Sequence, residues 1–199
     1  VLQYLGQTST LALQLGGSND LRIASDASHA DNTLDHKSSQ GYAVKLFGGL
    51  IAWRANKQDT VTTSTTEAEL LALSQTAKEG FYVSRMLKEL GIEFDTPRIT
   101  IECDNKQTIR LVTEELARLK TSLHHVDIHN RWLRQEHARQ KIDVVYTESA
   151  KMMADGLTKA LVQGAFERFR EQIGLVDVRE QLTERRRKED MEDEAIQKG

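Results

Sequence analysis

Four acidic residues stand in the order Asp, Glu, Asp, Asp, each at the boundary of a segment whose pattern foretells regular structure. Asp26 lies at the end of the apolar run LRIASDAS, and Glu69 near the start of the helical pattern TTEAELLAL. Asp104 ends the strand-like run RITIECDN, and Asp155 opens a late helix in MMADGLTKAL. Carboxylates so placed can converge at one end of a sheet, where they repel one another unless divalent cations neutralise them. The chemistry expected of such a site is metal-dependent attack on a phosphodiester.

Each acid also has an ordinary structural explanation. Asp26 could open a polar loop, Thr66-x-x-Glu69 fits a capping box, Asp104 or Asn105 could cap the next helix, and Asp155 could be a surface residue. Two details favour the site. Glu69 heads the stripe Leu73, Ala77, Gly80, Ser84 and Leu87, the inward face of a helix, where a carboxylate needs a cation or a donor. Glu67 points to another face and can cap with Ser64. Asp26 and Asp104, moreover, end two strands that the element order places side by side.

The elements that must position these acids are legible from periodicity and turn signals. Leu21–Ala27, Gly41–Phe47 and Leu50–Ala55 read as strands, the last two joined across Gly48-Gly49 as a hairpin. Ser64–Leu90 reads as one long helix with Gly91 at its C-terminal cap. Ile99–Cys103 is a fourth strand, Lys106–Leu116 a helix, Ser122–Gln140 another, Ile142–Tyr146 a fifth strand, and Met152–Gly174 helical with breaks. An antiparallel meander feeding a strand–helix–strand unit gives an α/β fold: a mixed five-stranded sheet with helices on both faces.

Residues 1–19 read as the end of an upstream element and a linker, with Gly16–Asn19 as a loop. Residues 20–176 form the domain. Residues 177–199, with a basic block (Arg185–Lys188) before an acidic one (Glu189–Glu194), form a charged tail, helical or disordered. The stripe Phe166, Phe169, Ile173, then Val178 and Leu182, reads as a docked C-terminal helix or, more sharply, as a partner-binding one.

The 199 residues are 39% hydrophobic and 29% charged, ordinary for a globular protein with a real core. No apolar run approaches a membrane span. The single Cys103 excludes an internal disulfide and reads as a small buried thiol. A formal net charge of −3 gives no global attraction to nucleic acid, so a phosphate backbone would have to be held by a local patch. Lys37, Arg54, Lys57, Lys106, Arg110, Arg131 and Arg134 are the candidates. His125 and His129 sit at i and i+4, but neither the following glutamate of a metalloprotease nor a cysteine pair accompanies them, which disfavours a zinc site.

The segments SDASHADNTLDHKSSQGYAVKLFGGLIAWRANKQ, TTSTTEAELLALSQTAKE, ITIECDNKQTI, HHVDIHNRWLRQE and ADGLTKAL resemble the ribonuclease H domain at the C-terminal end of the reverse transcriptase in Ty1/copia-type retrotransposon polyproteins, the fungal ones in particular. The resemblance spans Leu21 to Leu161 and puts the family's acidic quartet on Asp26, Glu69, Asp104 and Asp155, all intact. It implies two-ion hydrolysis of the RNA strand of an RNA–DNA hybrid, leaving a 5′-phosphate and a 3′-hydroxyl. Two Mg²⁺ ions are implied, with Mn²⁺ as a substitute. Asp26 and Asp155 would hold the one that presents the attacking water, and Asp26, Glu69 and Asp104 the other.

The implied partners are the hybrid and the reverse-transcriptase portion of the same polyprotein. The implied location is cytoplasmic retroelement particles, with a nuclear stage. Substrate contacts are expected from Thr65, Thr66, Asn105, Lys106, Lys57 and Arg131. Three departures stand out. Thr147–Met153 lacks the histidine that relatives carry before the last Asp. Lys106 replaces a customary Gln, and Thr65 and Thr66 stand where cellular relatives use amides. The competing expectation is a catalytically inactive ribonuclease H-like structural or interaction module, retroelement-derived or domesticated.

Overall fold

The computed structural model describes residues 2–16, 21–92, 94 and 98–197. A short helix α1 (Leu2–Gln7) and strand β1 (Leu11–Leu13) precede the meander of β2 (Leu21–Ser28), β3 (Ser39–Leu46) and β4 (Gly49–Lys57). Helix α2 (Thr65–Glu89) leads to β5 (Ile99–Cys103), α3 (Lys106–Thr113), α4 (His124–Ala138) and β6 (Ile142–Tyr146). A single 3-10 turn (Ser149–Lys151), α5 (Asp155–Thr158), α6 (Gln163–Gln172), β7 (Leu175–Asp177) and α7 (Arg179–Gln197) complete the chain. The main sheet runs β4-β3-β2-β5-β6, with β2, β3 and β4 antiparallel and β2, β5 and β6 parallel. This is the mixed five-stranded architecture expected. Of the expected Gly16–Asn19 loop, Gly17, Ser18 and Asn19 lie outside the described residues.

The period-two alternation of the strands separates two cores. Ile23, Val44, Ile99, Ile101 and Cys103 pack with Leu70, Leu73 and Ala77 of α2, Leu111 of α3, and Val126 and Leu133 of α4. Ala24 and Ala43 face the other way, onto Met152, Met153, Ala154 and Ile173. Truncating one of the fully buried leucines of the first core, such as Leu73, would cost about 2–5 kcal/mol.

Helix α2 starts where Ser64 accepts a bond from the Glu67 amide at 3.2 Å. It stops where Gly91, at φ +76°, allows the Gly91 amide to reach the Lys88 carbonyl and the Ile92 amide to reach that of Leu87, a Schellman motif. Midway, a Cβ on Gly80 would lie 3.0 Å from Ile23 and 3.1 Å from Ile99, so this glycine lets α2 lie close on the sheet.

Several local expectations shift. The hairpin turn is Phe47-Gly48, both with positive φ, because Gly49 already pairs with Leu46 in the ladder. Gly49 is used differently: a Cβ there would meet Leu15 at 2.5 Å and the Gln14 carbonyl at 2.8 Å. Helix α3 ends at Thr113, earlier than Leu116, because Arg134 gathers the carbonyls of Leu111, Glu114, Glu115 and Ala117 and holds the following chain as a loop. Arg134 thus leaves the expected phosphate-tracking set for a structural role. Glu67 is buried rather than merely capping, accepting from the Thr63 amide and hydroxyl at 2.6 and 2.7 Å and from the Thr121 hydroxyl.

A pairing without a sequence signal is β1 with β7, antiparallel, Leu11 opposite Asp177 and Leu13 opposite Leu175. Of the expected stripe, Phe169 and Ile173 pack in the second core and Phe166 meets Tyr4 edge-on at 5.9 Å, whereas Leu182 is exposed on the separate helix α7.

Candidate metal centre

Strand register brings the first two acids together. Ile23 pairs with Ile101 and Ala24 with Glu102, so the same parallel register continued by two residues sets Asp104 level with Asp26 at the C-terminal ends of β2 and β5. In open α/β sheets this rim is where sites form. Glu69 arrives from the first turns of α2, buried like Leu73, Ala77, Gly80 and Leu87 of its stripe. One carboxylate oxygen from each of Asp26, Glu69 and Asp104 lies within 4.8 Å of the others, the one group of three or more such ligands among the described residues.

Two of the three are poorly satisfied by protein alone. Asp26 Oδ1 and Glu69 Oε2 are buried with no hydrogen-bond partner. Burial, reinforced by Asp26 and Asp104, pushes the Glu69 carboxyl from 4.5 up to about 9. Burial also raises Asp26, against the lowering pull of the Thr158 hydroxyl and Lys159. Orphaned, crowded carboxylate oxygens fit a hard divalent cation, which supplies both ligand bonds and charge.

Asp155, the fourth expected ligand, lies outside this group of three and comes near Asp26 by a different route. Met152, Met153 and Ala154 are plugged into the second core, and α5 begins immediately after them. Two glycines let α5 settle. A Cβ on Gly41, the residue paired with Asp26, would lie 2.9 Å from Leu157 Cβ and 3.1 Å from the Arg54 carbonyl. A Cβ on Gly156 would lie 2.5 Å from the Phe169 ring. Helix geometry then presents Thr158 and Lys159, three and four residues beyond Asp155, to the acids. The Thr158 hydroxyl donates to Asp26, and Lys159 Nζ binds Asp155 while lying 3.7 Å from Asp26. Burial alone would lower the Lys159 pKa, but the bond to Asp155 and the carboxylates of Asp26, Asp155 and Asp104 raise it. On the opposite side Ser149 donates to Asp104 at 2.7 Å.

Thr158, Lys159 and Ser149 were not singled out from sequence. The signal for the first two was present in Asp-Gly-Leu-Thr-Lys, since i+3 and i+4 share a helix face with the acid.

The expected substrate residues occupy varied settings. Thr65 is exposed and Thr66 half-buried in the first turn of α2. Asn105 caps α3, accepting from the Thr108 amide at 3.0 Å. Lys106 is exposed, with Nζ 4.7 Å from the centroid of the Tyr146 ring. Lys57 faces Asp35 at 4.0 Å, and Arg131 pairs with Asp127 at 2.9 Å along α4. His129 bonds Ser74 at 2.8 Å and is held below its usual pKa by burial, Lys78 and His125. Cys103 is a buried free thiol, its pKa pushed up by burial. No helix among the described residues is long and apolar enough to cross a membrane.

No family model matches the chain. Curated relatives do. The retrovirus-related Pol polyprotein from transposon TNT 1-94 of Nicotiana tabacum is 32% identical over 176 residues, covering 88% of this chain and 13% of the relative. That from transposon RE2 of Arabidopsis thaliana is 32% identical over 180 residues, 89% of this chain and 12% of the relative. The transposon Ty1-ER2 Gag-Pol polyprotein of Saccharomyces cerevisiae is 30% identical over 151 residues, 72% of this chain and 8% of the relative. Relatives thus come from plants as well as from a fungus, and the chain spans only about an eighth of the plant ones. Among solved structures, LC11-RNase H1, isolated from compost, superimposes with a TM-score of 0.52 at 15% identity over 70% of this chain and 93% of that one. The chain belongs to the Pol polyproteins of copia-type transposons, as a segment of them with the ribonuclease H-like fold.

Proposed function

We propose that this segment is a metal-dependent endonuclease that hydrolyses the RNA strand of RNA–DNA hybrids during retrotransposon reverse transcription. The observation that carries the reading is the pair of buried carboxylate oxygens, Asp26 Oδ1 and Glu69 Oε2, left without partners beside Asp104. An inactive module would gain nothing from such a group, since burying unpaired carboxylates is costly. Asp26, Glu69 and Asp104 would hold one divalent ion, and Asp26 with Asp155 a second, Mg²⁺ or Mn²⁺. Bound ions supply an acidified water and charge stabilisation at the leaving oxygen, giving a 5′-phosphate and a 3′-hydroxyl.

The chain's own residues do the positioning. The β2–β5 register fixes Asp26 against Asp104, α2 sets Glu69 from above, and Ser149 and Thr158 orient individual carboxylate oxygens. Thr65 and Thr66 lie on the helix that carries Glu69, Asn105 and Lys106 follow Asp104 at the start of α3, and these four, with Lys57 and Arg131, are the proposed hybrid contacts. Recognition of a hybrid rests on shape, backbone and 2′-hydroxyls, which this mixture of hydroxyl, amide and cation serves.

The proposal extends to the context: residues 20–176 as the nuclease domain, flanked by residues 1–19 from the polymerase side and a charged tail at 177–199, working in cytoplasmic particles with a nuclear stage. The test is cleavage of a labelled hybrid in Mg²⁺ and in Mn²⁺, with single- and double-stranded RNA controls. RNA-strand cleavage that disappears in Asp104→Asn is the expected result. A folded protein that binds metal yet leaves every RNA intact would favour the inactive-module reading instead.

A further inference from the structure

We propose that Lys159 is a built-in counter-ion that occupies the Asp26–Asp155 half of the centre and must be displaced before a divalent ion can enter there. The inference rests on the metal-centre reading above and adds a competitor to it. Three observations carry it. The ammonium bonds Asp155 and lies 3.7 Å from Asp26 Oδ2, so it bridges the two carboxylates proposed to share an ion. It does not reach the other half in the same way: Asp26 Oδ1 and Glu69 Oε2 keep no partner, so a single positive charge covers one position and leaves the other open. The side chain is also free to leave. Lys159 is the C-terminal cap of the one-turn α5, 41% of its side chain is exposed, and the ammonium is its flexible far end, whereas the side chain of Asp26 is 1% exposed.

The two ion positions therefore differ in kind. The Asp26–Glu69–Asp104 position gains an ion by relieving unpaired charge. The Asp26–Asp155 position gains one only by exchanging it for an ammonium already in place, since an ion pair must be broken first. Lys159 is a positioning residue in this scheme: it sets the metal concentration at which the centre becomes complete.

The experiment uses the whole chain without nucleic acid and counts Mn²⁺ binding by calorimetry and by the loss of the free-ion paramagnetic resonance signal. The wild type is expected to show a tighter and a weaker step. Lys159→Met tightens the weaker step roughly tenfold, the order expected when a competing charge a few ångströms away is removed. Lys159→Arg keeps the weak step. Lys151→Met removes an equal charge that pairs with Glu148, and leaves both steps unchanged. A thermal melt of each variant checks folding, and Lys159→Gln, which also removes the charge but keeps a polar end, takes the place of Lys159→Met if that variant unfolds, with the same tightening expected. Unchanged or weaker binding in Lys159→Met overturns the inference while leaving the metal centre standing. Equal tightening in Lys151→Met also overturns it, because any nearby charge would then do. Absence of Mn²⁺ binding in every protein overturns both readings.

Discussion

The two halves of the centre are built on opposite principles. Asp26, Glu69 and Asp104 sit on or at the end of two central strands and on a 25-residue helix, all packed against the larger core, and Asp26 and Glu69 each keep a buried oxygen without a partner. Asp155 sits on a single turn of helix, hung from three buried residues, and its charge is already answered by Lys159. The first half is rigid and electrostatically unsatisfied; the second is lightly held and satisfied. A scaffold that fixes carboxylates before any cation arrives stores repulsion in its metal-free state, which is the usual trade of stability for function at such sites. The second half avoids that cost but must exchange one cation for another.

The largest effect should come from the rigid half. Asp104→Asn removes a ligand and its charge together and is expected to lower hybrid cleavage by about three orders of magnitude or more, at unchanged fold by circular dichroism. If the variant retains cleavage within a few-fold of the wild type, the rigid half is not where the chemistry occurs.

Stability should move the other way. Glu69 is raised from 4.5 in the unfolded chain to about 9 in the folded one, so the folded state binds its proton more tightly. Between those two values stability therefore falls as pH rises, and it is fully present only below the lower one. Glu69→Gln takes this dependence away, and the metal-free variant should melt a few degrees higher than the wild type at pH 8, with the gap closing toward pH 4.5. Mg²⁺ should raise the melting temperature of the wild type and have a smaller effect on the variant. A wild-type melting curve in chelator that is flat from pH 4.5 to 8 would contradict the picture of stored repulsion.

The lightly held half should fail mechanically. Gly41→Ala brings a methyl to within 2.9 Å of Leu157 Cβ and 3.1 Å of the Arg54 carbonyl, so α5 must move off the sheet. Thr158 then loses Asp26, and Asp155 shifts with it. Cleavage is expected to fall about 100-fold, the scale of an ångström-level displacement, while stability drops by about 1–3 kcal/mol. Raising Mn²⁺ should recover part of the activity, because the rigid half is untouched. An equal loss of Mn²⁺ binding at both positions would mean the halves are not separable.

What the sequence made legible follows the same division. The rigid half was readable because strand alternation, a helix stripe and a parallel register are all local or pairwise patterns. Asp26, Glu69 and Asp104 could be aligned from element order alone, and Gly91 marked the end of α2 correctly. The lightly held half depends on tertiary coincidences. The broken helical run after Met152 gave no sign that Met152–Ala154 is a plug. Nothing in Gly41 announced that it makes room for Thr158. The β1–β7 pair joins segments far apart in the chain through three-residue strands, too short for any periodicity to register. Arg134 looked like any surface cation because three of its four carbonyl partners lie in a loop whose path the sequence does not encode locally.

One hydrogen bond crosses between the halves from the loop side, and it offers the smallest and most discriminating change. Ser149, in the turn before α5, donates to Asp104 at 2.7 Å. Because Asp104 is partly exposed, loss of this donor leaves an oxygen that water can reach, so Ser149→Ala should cost only about 0.5–1.5 kcal/mol of stability. Its effect on cleavage should be several-fold and should appear in kcat rather than in the affinity for hybrid, since the bond orients a ligand and touches no phosphate. If Ser149→Ala instead lowers activity as far as Gly41→Ala does, the turn couples the halves directly. The rigid half would then depend on the seating of α5, and the contrast between them would be one of degree.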